Sequence, residues 1–343
     1  METDAVQIND VAAPEWHERP STCPNFTVSC LRYDQEVAQI LGRGIGDTLR
    51  ALGRLIDIST LDGVTVGYDY DHALAQLDRG YETRFVLERT NGVAIGVAMT
   101  PSVLRDGALK SHIVLAGHIA DALIGDDDEL RSMTIHTLAH ECSHVKITAA
   151  WDRCFPGELL RARYSSVLEG WRSQVTSACW DEYAACRITA DLGYDPAPGY
   201  AQTFLTVLSE IDGKVADLVS GFDGGNADTL VGPVLGVFGD LMKFGCYLQG
   251  TLAGTDRSLD DFPNVPEQLT ASWYAPYFDR LATACDDIFA EFGQWPDKQK
   301  FEVISDILME IVEEQVMQIE DHEDGSYRVA IHHRAANDWR ITG

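Results

Sequence analysis

The sequence predicts an α+β protein in which a small sheet packs on one long helix and a mostly helical remainder follows. Three observations carry this. Between residues 61 and 118, short β-branched runs alternate with turn signals. Apolar residues recur at helical spacing just before and just after that stretch. Beyond Pro156 nearly every segment to about residue 320 reads as helix, interrupted at Gly- and Pro-rich breaks.

The elements follow in chain order. Residues 1–22 are polar, show no period and read as a flexible arm. CPNFTVSC (23–30) suggests a short strand. Val37, Ile40, Leu41, Ile45, Leu49, Leu52 and Leu55 mark an amphipathic helix from Asp34 to about Leu55. Gly42, Gly44 and Gly46 inside it each cost about 1 kcal/mol against Ala. The string G-R-G-I-G lacks the preceding strand and following Lys-Ser/Thr of a phosphate-binding loop. VTVGY (64–68), FVLE (85–88), GVAIGVAM (92–99) and HIVLAG (112–117) read as strands, with a helix at Tyr70–Leu77 between the first two. Asp126, Asp127 and Asp128 supply a cap and favourable charge for a long helix starting near Glu129. Later breaks fall at Gly193 with Pro196 and Pro198, at GFDGGNAD (221–228), and at Pro263 with Pro266. The organisation expected is an arm (1–22), a mixed domain (23–195) and a helical region (196–343).

The 343 residues are 45% hydrophobic and 23% charged, enough to close a core without disulfides. The net charge of −28 argues against a nucleic-acid partner or an anionic membrane surface, both of which need concentrated Lys and Arg. The apolar run Leu230–Phe238 reads as core and is far shorter than the ~20 residues of a membrane helix. The N-terminal stretch has no basic start leading into an apolar segment, and the eight cysteines include no C-x-x-C pair. The expectation is a soluble, cytoplasmic protein with reduced thiols.

Chemistry concentrates in MTIHTLAHECSHVKITAA. His140-Glu141-Cys142-Ser143-His144 is an H-E-x-x-H string, and on a helix residues four apart share a face. Two neutral imidazoles so placed can take two corners of a zinc tetrahedron, with Glu141 beside the ion as a general base. The context supports the helix: Ile135, Leu138, Ala139, Cys142, Val145 and Ala149 form an apolar stripe, and His136, His140 and His144 a polar one. A third ligand must come from elsewhere. Ile147 and Ala150 occupy the Gly and His positions of the extended three-histidine motif. Asp152 lies about 12 Å along the axis beyond His144. Of Glu158, Glu169, Asp181 and Glu182, the neighbours favour Glu182. Around Glu169 lie Ser165, Ser166, Arg172 and Ser173, a solvated face. Around Glu182 lie Ala178, Cys179, Ala185 and Cys186, small residues that let two helices approach. A carboxylate on such a packed face must be paired or metal-bound, and the competing reading is an ion pair with Arg187 or Arg172.

HTLAHECSH followed by CWDEYAACRITADLG resembles the zincin metallopeptidases whose third ligand is a glutamate. The E-x-x-A run from Glu182 to Ala185 is most similar to the ImmA/IrrE-like members. The resemblance spans roughly residues 60–195. It implies a zincin-like sheet, one Zn2+ per chain held by His140, His144 and Glu182, Glu141 as the base, and a peptide or protein substrate. It also implies that HIVLAG is the edge strand that pairs with an extended substrate. Tyr183 and Tyr194 are candidate oxyanion donors, although packing suits Tyr183 better; His136 reads as a cleft or a surface residue. His322, His332 and His333 read as a solvated tail. The alternative function is a regulatory or partner-binding protein that keeps the scaffold without catalysis; an intact Glu141 favours the enzyme.

Overall fold

Val64 and Val66 lie two residues apart and so share one face of a strand, as do Ile113 and Leu115. The computed structural model, which describes residues 15–332 except 84, 94, 256, 323 and 324, sets these pairs side by side. They belong to β2 (Leu61–Gly67) and β5 (Ala108–Ala116), which pair in parallel. β1 (Thr27–Leu31) pairs in parallel with β2; β3 (Ala98–Met99) and β4 (Ser102–Arg105) run antiparallel to β5. One sheet face carries α1 (Gln35–Leu52) and α4 (Asp128–Cys154). There Leu41, Ile45 and Leu49 of α1 and Leu138, Ala139, Cys142 and Val145 of α4 close a fully buried core with Val64, Val66, Ile113 and Leu115. The other face holds α2 (Tyr70–Gln76), whose Tyr70, Ala73 and Leu74 cover Val114 and Ala116. α3 (Gly117–Asp121) follows β5 directly.

The mixed sheet, helical remainder and α+β class agree with the sequence reading, and four local expectations are corrected. FVLE is not a strand: it joins neither edge of the sheet, and Phe85 and Val86 stand 67% and 69% exposed. Within 92–99 only Ala98 and Met99 pair. HIVLAG is interior rather than an edge, because β3 and β4 cover the side of β5 that β2 leaves open. The C-terminal histidines are not all in a free tail. After the last helix, β6 (Met317–Asp321) and β7 (Tyr327–Ile331) form a hairpin, with His322 in its connection and the His332 amide bonded to the Val316 carbonyl at 2.8 Å. Residues 1–14 of the expected arm, and His333, lie outside the described residues. Thr22, at the end of that arm, is bonded through its hydroxyl to the Gly53 carbonyl at 2.9 Å.

The helical part comprises α5 (Glu158–Arg161), α6 (Val167–Thr189), α7 (Ala197–Gly221), α8 (Asp228–Thr255), α9 (Asn264–Thr270), α10 (Ala275–Ala290) and α11 (Gln299–Gln315). α8 is long and apolar enough to cross a membrane by length and composition, yet 61% of its most apolar window is buried within the protein. Its Leu230, Val231, Val234, Leu235 and Phe238 are core residues. That core extends back across residue 195 to Cys179, Trp180, Tyr183 and Ala184 of α6 and to Ile147 and Ala150 near the end of α4. All eight cysteines are free.

Candidate metal centre

The start of α4 is fixed by Asp127, whose carboxylate accepts the Glu129 and Leu130 amides at 2.9 and 3.0 Å. Once the helix is seated by its apolar side on the sheet, His140 and His144 project one turn apart toward α6. α6 is capped by Ser166, whose hydroxyl accepts the Glu169 amide at 3.1 Å, and carries Glu182 to meet them.

The three side chains converge. The Nε2 atoms of His140 and His144 are 3.0 Å apart, and Glu182 Oε2 lies 3.1 Å from the first and 3.7 Å from the second. A tetrahedral centre with bonds near 2.1 Å has donor–donor edges of about 3.4 Å, so this triangle has the dimensions of one face of such a site. Two imidazole nitrogens at 3.0 Å are bridged either by the N–H proton of one of them or by a metal cation. The ligand atoms of His140, Glu141 and His144 also lie within 4.8 Å of one another, a group that can hold a metal ion. Between the two glutamates, Glu182 makes the closer triangle. Glu141 is buried beside it, with one oxygen already accepting the Thr100 hydroxyl at 2.6 Å.

The electrostatics favour a cation. Burial alone would raise the Glu182 carboxyl, but the hydrogen bond from His140, the His144 and His140 charges and the Tyr247 hydroxyl hold it down at about 2. Burial alone would lower His144, but Asp181, whose carboxylate lies 3.0 Å from Nδ1, together with Glu182 and Glu141, pushes it up to about 10. Three carboxylates therefore surround two imidazoles. In the metal-free protein a proton on His144 offsets part of that charge; a divalent ion would displace it.

The other candidates separate clearly. Glu158 pairs with Lys298, and Glu169 accepts the Ser165 amide and hydroxyl at the α6 cap. Arg187 is engaged by Asp286, and Arg172 by Ser305 and Asp306, so Glu182 has neither proposed arginine partner. His136 is buried rather than exposed. Its Nδ1 donates to the Leu192 carbonyl at 2.9 Å, and its Nε2 has no partner among the described residues. Gly193, at φ +80°, makes the turn that lays this carbonyl on α4; a Cβ there would stand 3.1 Å from the Ser132 carbonyl. Tyr183 is in the core with its hydroxyl on Asp286, and Tyr194 does not line the cleft.

The centre opens into a cleft of about 460 Å³. One wall is the segment from Ile95 to Thr100, including β3; the other is Tyr200, Phe244 and Tyr247 from α7 and α8. Sequence reasoning missed Thr100, Tyr200, Tyr247 and the part played by Asp181. No fixed spacing links them to the motif, since they arrive through tertiary packing. The one available signal was Gly250 and Gly254, a pair at helical spacing that marks close approach of α8 to another helix. No protein-family model, curated protein or solved structure matches this chain. Fold and site together define an α+β protein with a buried group that can hold a metal ion.

Proposed function

We propose that this chain is a zinc-dependent metallopeptidase, similar in its motif to the glutamate-liganded zincins, and that His140, His144 and Glu182 are the zinc ligands. The observation that carries the reading is the convergence of two imidazole nitrogens and one carboxylate oxygen on edges of 3.0, 3.1 and 3.7 Å, with Glu141 alongside. Zinc in such a set supplies a Lewis acid that lowers the pKa of a water and polarises a carbonyl. Glu141 takes the proton from the attacking water and returns it to the leaving amine. Thr100 fixes the orientation of that carboxylate by its 2.6 Å hydrogen bond to Oε2. Asp181, 3.0 Å from His144 Nδ1, places its negative charge beside that nitrogen, on the ring side away from Nε2, which faces His140 and Glu182. The substrate is an extended peptide laid along Ile95–Thr100, where the outer side of β3 carries no strand among the described residues. Eight free thiols suit a reducing cytoplasm.

The test is hydrolysis of a mixed peptide library by zinc-loaded protein, wild type beside Glu141→Gln, each assayed for zinc. We expect about one zinc per chain in both, with cleavage lost at least 100-fold in the variant. Equal cleavage by the two would remove Glu141 from the mechanism. Absence of cleavage in a zinc-replete wild type would overturn the peptidase reading.

A further inference from the structure

α8 lines the cleft with a short series of side chains. The Tyr247 ring lies 6.0 Å from that of His140, the Phe244 ring 5.8 Å from that of Tyr247, and the Lys243 ammonium 5.2 Å from the Phe244 centroid. All three α8 residues line the cleft of the candidate metal centre. Lys243 is the one Lys or Arg among the described residues that do so, whereas Glu141, Asp181 and Glu182 line the same cleft as carboxylates. The cleft thus has two poles: acidic at the histidines, cationic at one place on the α8 wall.

The partner that Lys243 has within the protein is a weak one. Its Nζ donates to Asp240 Oδ1 at 2.8 Å, three residues back on the same helix, and the Asp240 side chain is 58% exposed against 18% for Lys243. An ion pair with one member in water is readily given up. An ammonium also carries three N–H donors, of which Asp240 engages one. Partly desolvated against Phe244, the ammonium attracts an anion more strongly than it would in water. The anionic groups of a peptide are the carboxylates of Asp and Glu and of its C-terminus. At the acidic pole such a group would meet Glu141, Asp181 and Glu182 at like charge, so the cleft admits it at Lys243. An extended chain advances about 3.3 Å per residue. The three ring and ammonium steps from His140 then put that carboxylate within about five residues of the scissile bond.

We propose that Lys243 is a specificity-determining residue of the cleft: its ammonium receives a carboxylate of the peptide substrate, carried by an acidic side chain or by the C-terminus. This rests on the peptidase reading above.

The test uses zinc-loaded full-length protein and a synthetic peptide library of mixed sequence with free C-termini. Cleaved peptides are identified by mass spectrometry, and the best of them is remade with its acidic side chains as amides or with its C-terminus amidated. The readout is the ratio of kcat/KM for the acidic peptide to that for its neutral form, in the wild type, Lys243→Met and Lys243→Arg. The expected ratio is about tenfold in the wild type, carried by KM, close to one in Lys243→Met, and largely kept in Lys243→Arg. Loss of cleavage on side-chain neutralisation alone assigns the carboxylate to an acidic residue, and loss on amidation alone assigns it to the C-terminus; either supports the proposal. Cleavage that is indifferent to both changes, or a ratio that survives Lys243→Met, would overturn it and leave the peptidase reading standing. Equal losses for acidic and neutral peptides in Lys243→Met would overturn it in favour of a structural role for the lysine. Absence of cleavage by the zinc-replete wild type would remove the peptidase reading and the proposal with it.

Discussion

His144 shows how closely charge and geometry are linked at this site. Burial works against its protonation, yet Asp181, Glu182 and Glu141 raise it to about 10, above its ordinary 6.5. A group raised on folding contributes stability below its unfolded pKa and loses that contribution as the pH climbs through its folded one. In metal-free protein this contribution is present below pH 6.5 and disappears toward pH 10. The thermal midpoint of chelator-treated protein should therefore fall across that interval. Asp181→Asn, which removes the foremost of the raising charges, should flatten the fall; a wild-type midpoint that stays level from 6.5 to 10 would contradict it. Glu182 works in the opposite sense. Lowered from 4.5 to about 2, it contributes above 4.5 and loses that contribution as the pH falls through 2. At this scale the sequence was most informative. Four-residue spacing puts His140 and His144 on one face whatever the tertiary fold, and the small neighbours of Glu182 pointed to a helix packed closely on another. Thr100 and Asp181 were not assigned their parts, because a hydroxyl from a strand end and an exposed-looking carboxylate carry no periodic signal.

Among the elements, α8 shows why one residue type can have opposite effects along one helix. Gly236 is exposed, and a Cβ there would meet nothing within 4 Å, whereas at Gly254 it would meet the Arg187 carbonyl oxygen and the Ala190 Cβ, each at 2.5 Å. Gly236→Ala should stabilise the protein by about 1 kcal/mol through helix propensity alone. Gly254→Ala gains the same propensity but must push α8 off α6, and should destabilise it by a net of about 1–3 kcal/mol. Chemical denaturation checks both; shifts of the same sign would mean that the close contact does not govern this interface. The helices were legible because apolar periodicity and cap residues are local, as Asp127 and the glycine and proline breaks show. The strands were less so. Phe85–Glu88 has strand-like composition but leaves Phe85 and Val86 exposed instead of joining a sheet edge, and β6 with β7 reads from sequence as a helix end and a tail. Alternating Met317 and Ile319 opposite Val329 and Ile331, around a turn at Gly325, marked that hairpin.

Across the molecule, one apolar core closes the sheet against α1 and α4, and a larger one closes the helical part around α6 and α8. α4 contributes to both, and the candidate metal centre lies where α4, α6 and α8 meet. The boundary read at residue 195 thus falls between two helices that share one core, which no local feature of the sequence announces. The charge of −28 and the carboxylates in the cleft act together, since both favour a cation over an anion at the site. The most direct test of the central claim is anomalous diffraction at the zinc edge from crystals of the zinc-loaded protein. The account predicts a single strong peak about 2.0–2.2 Å from His140 Nε2, His144 Nε2 and a Glu182 carboxylate oxygen. A peak ligated by Asp181 or Glu141 in place of Glu182, or no peak at these histidines in zinc-replete crystals, would contradict it.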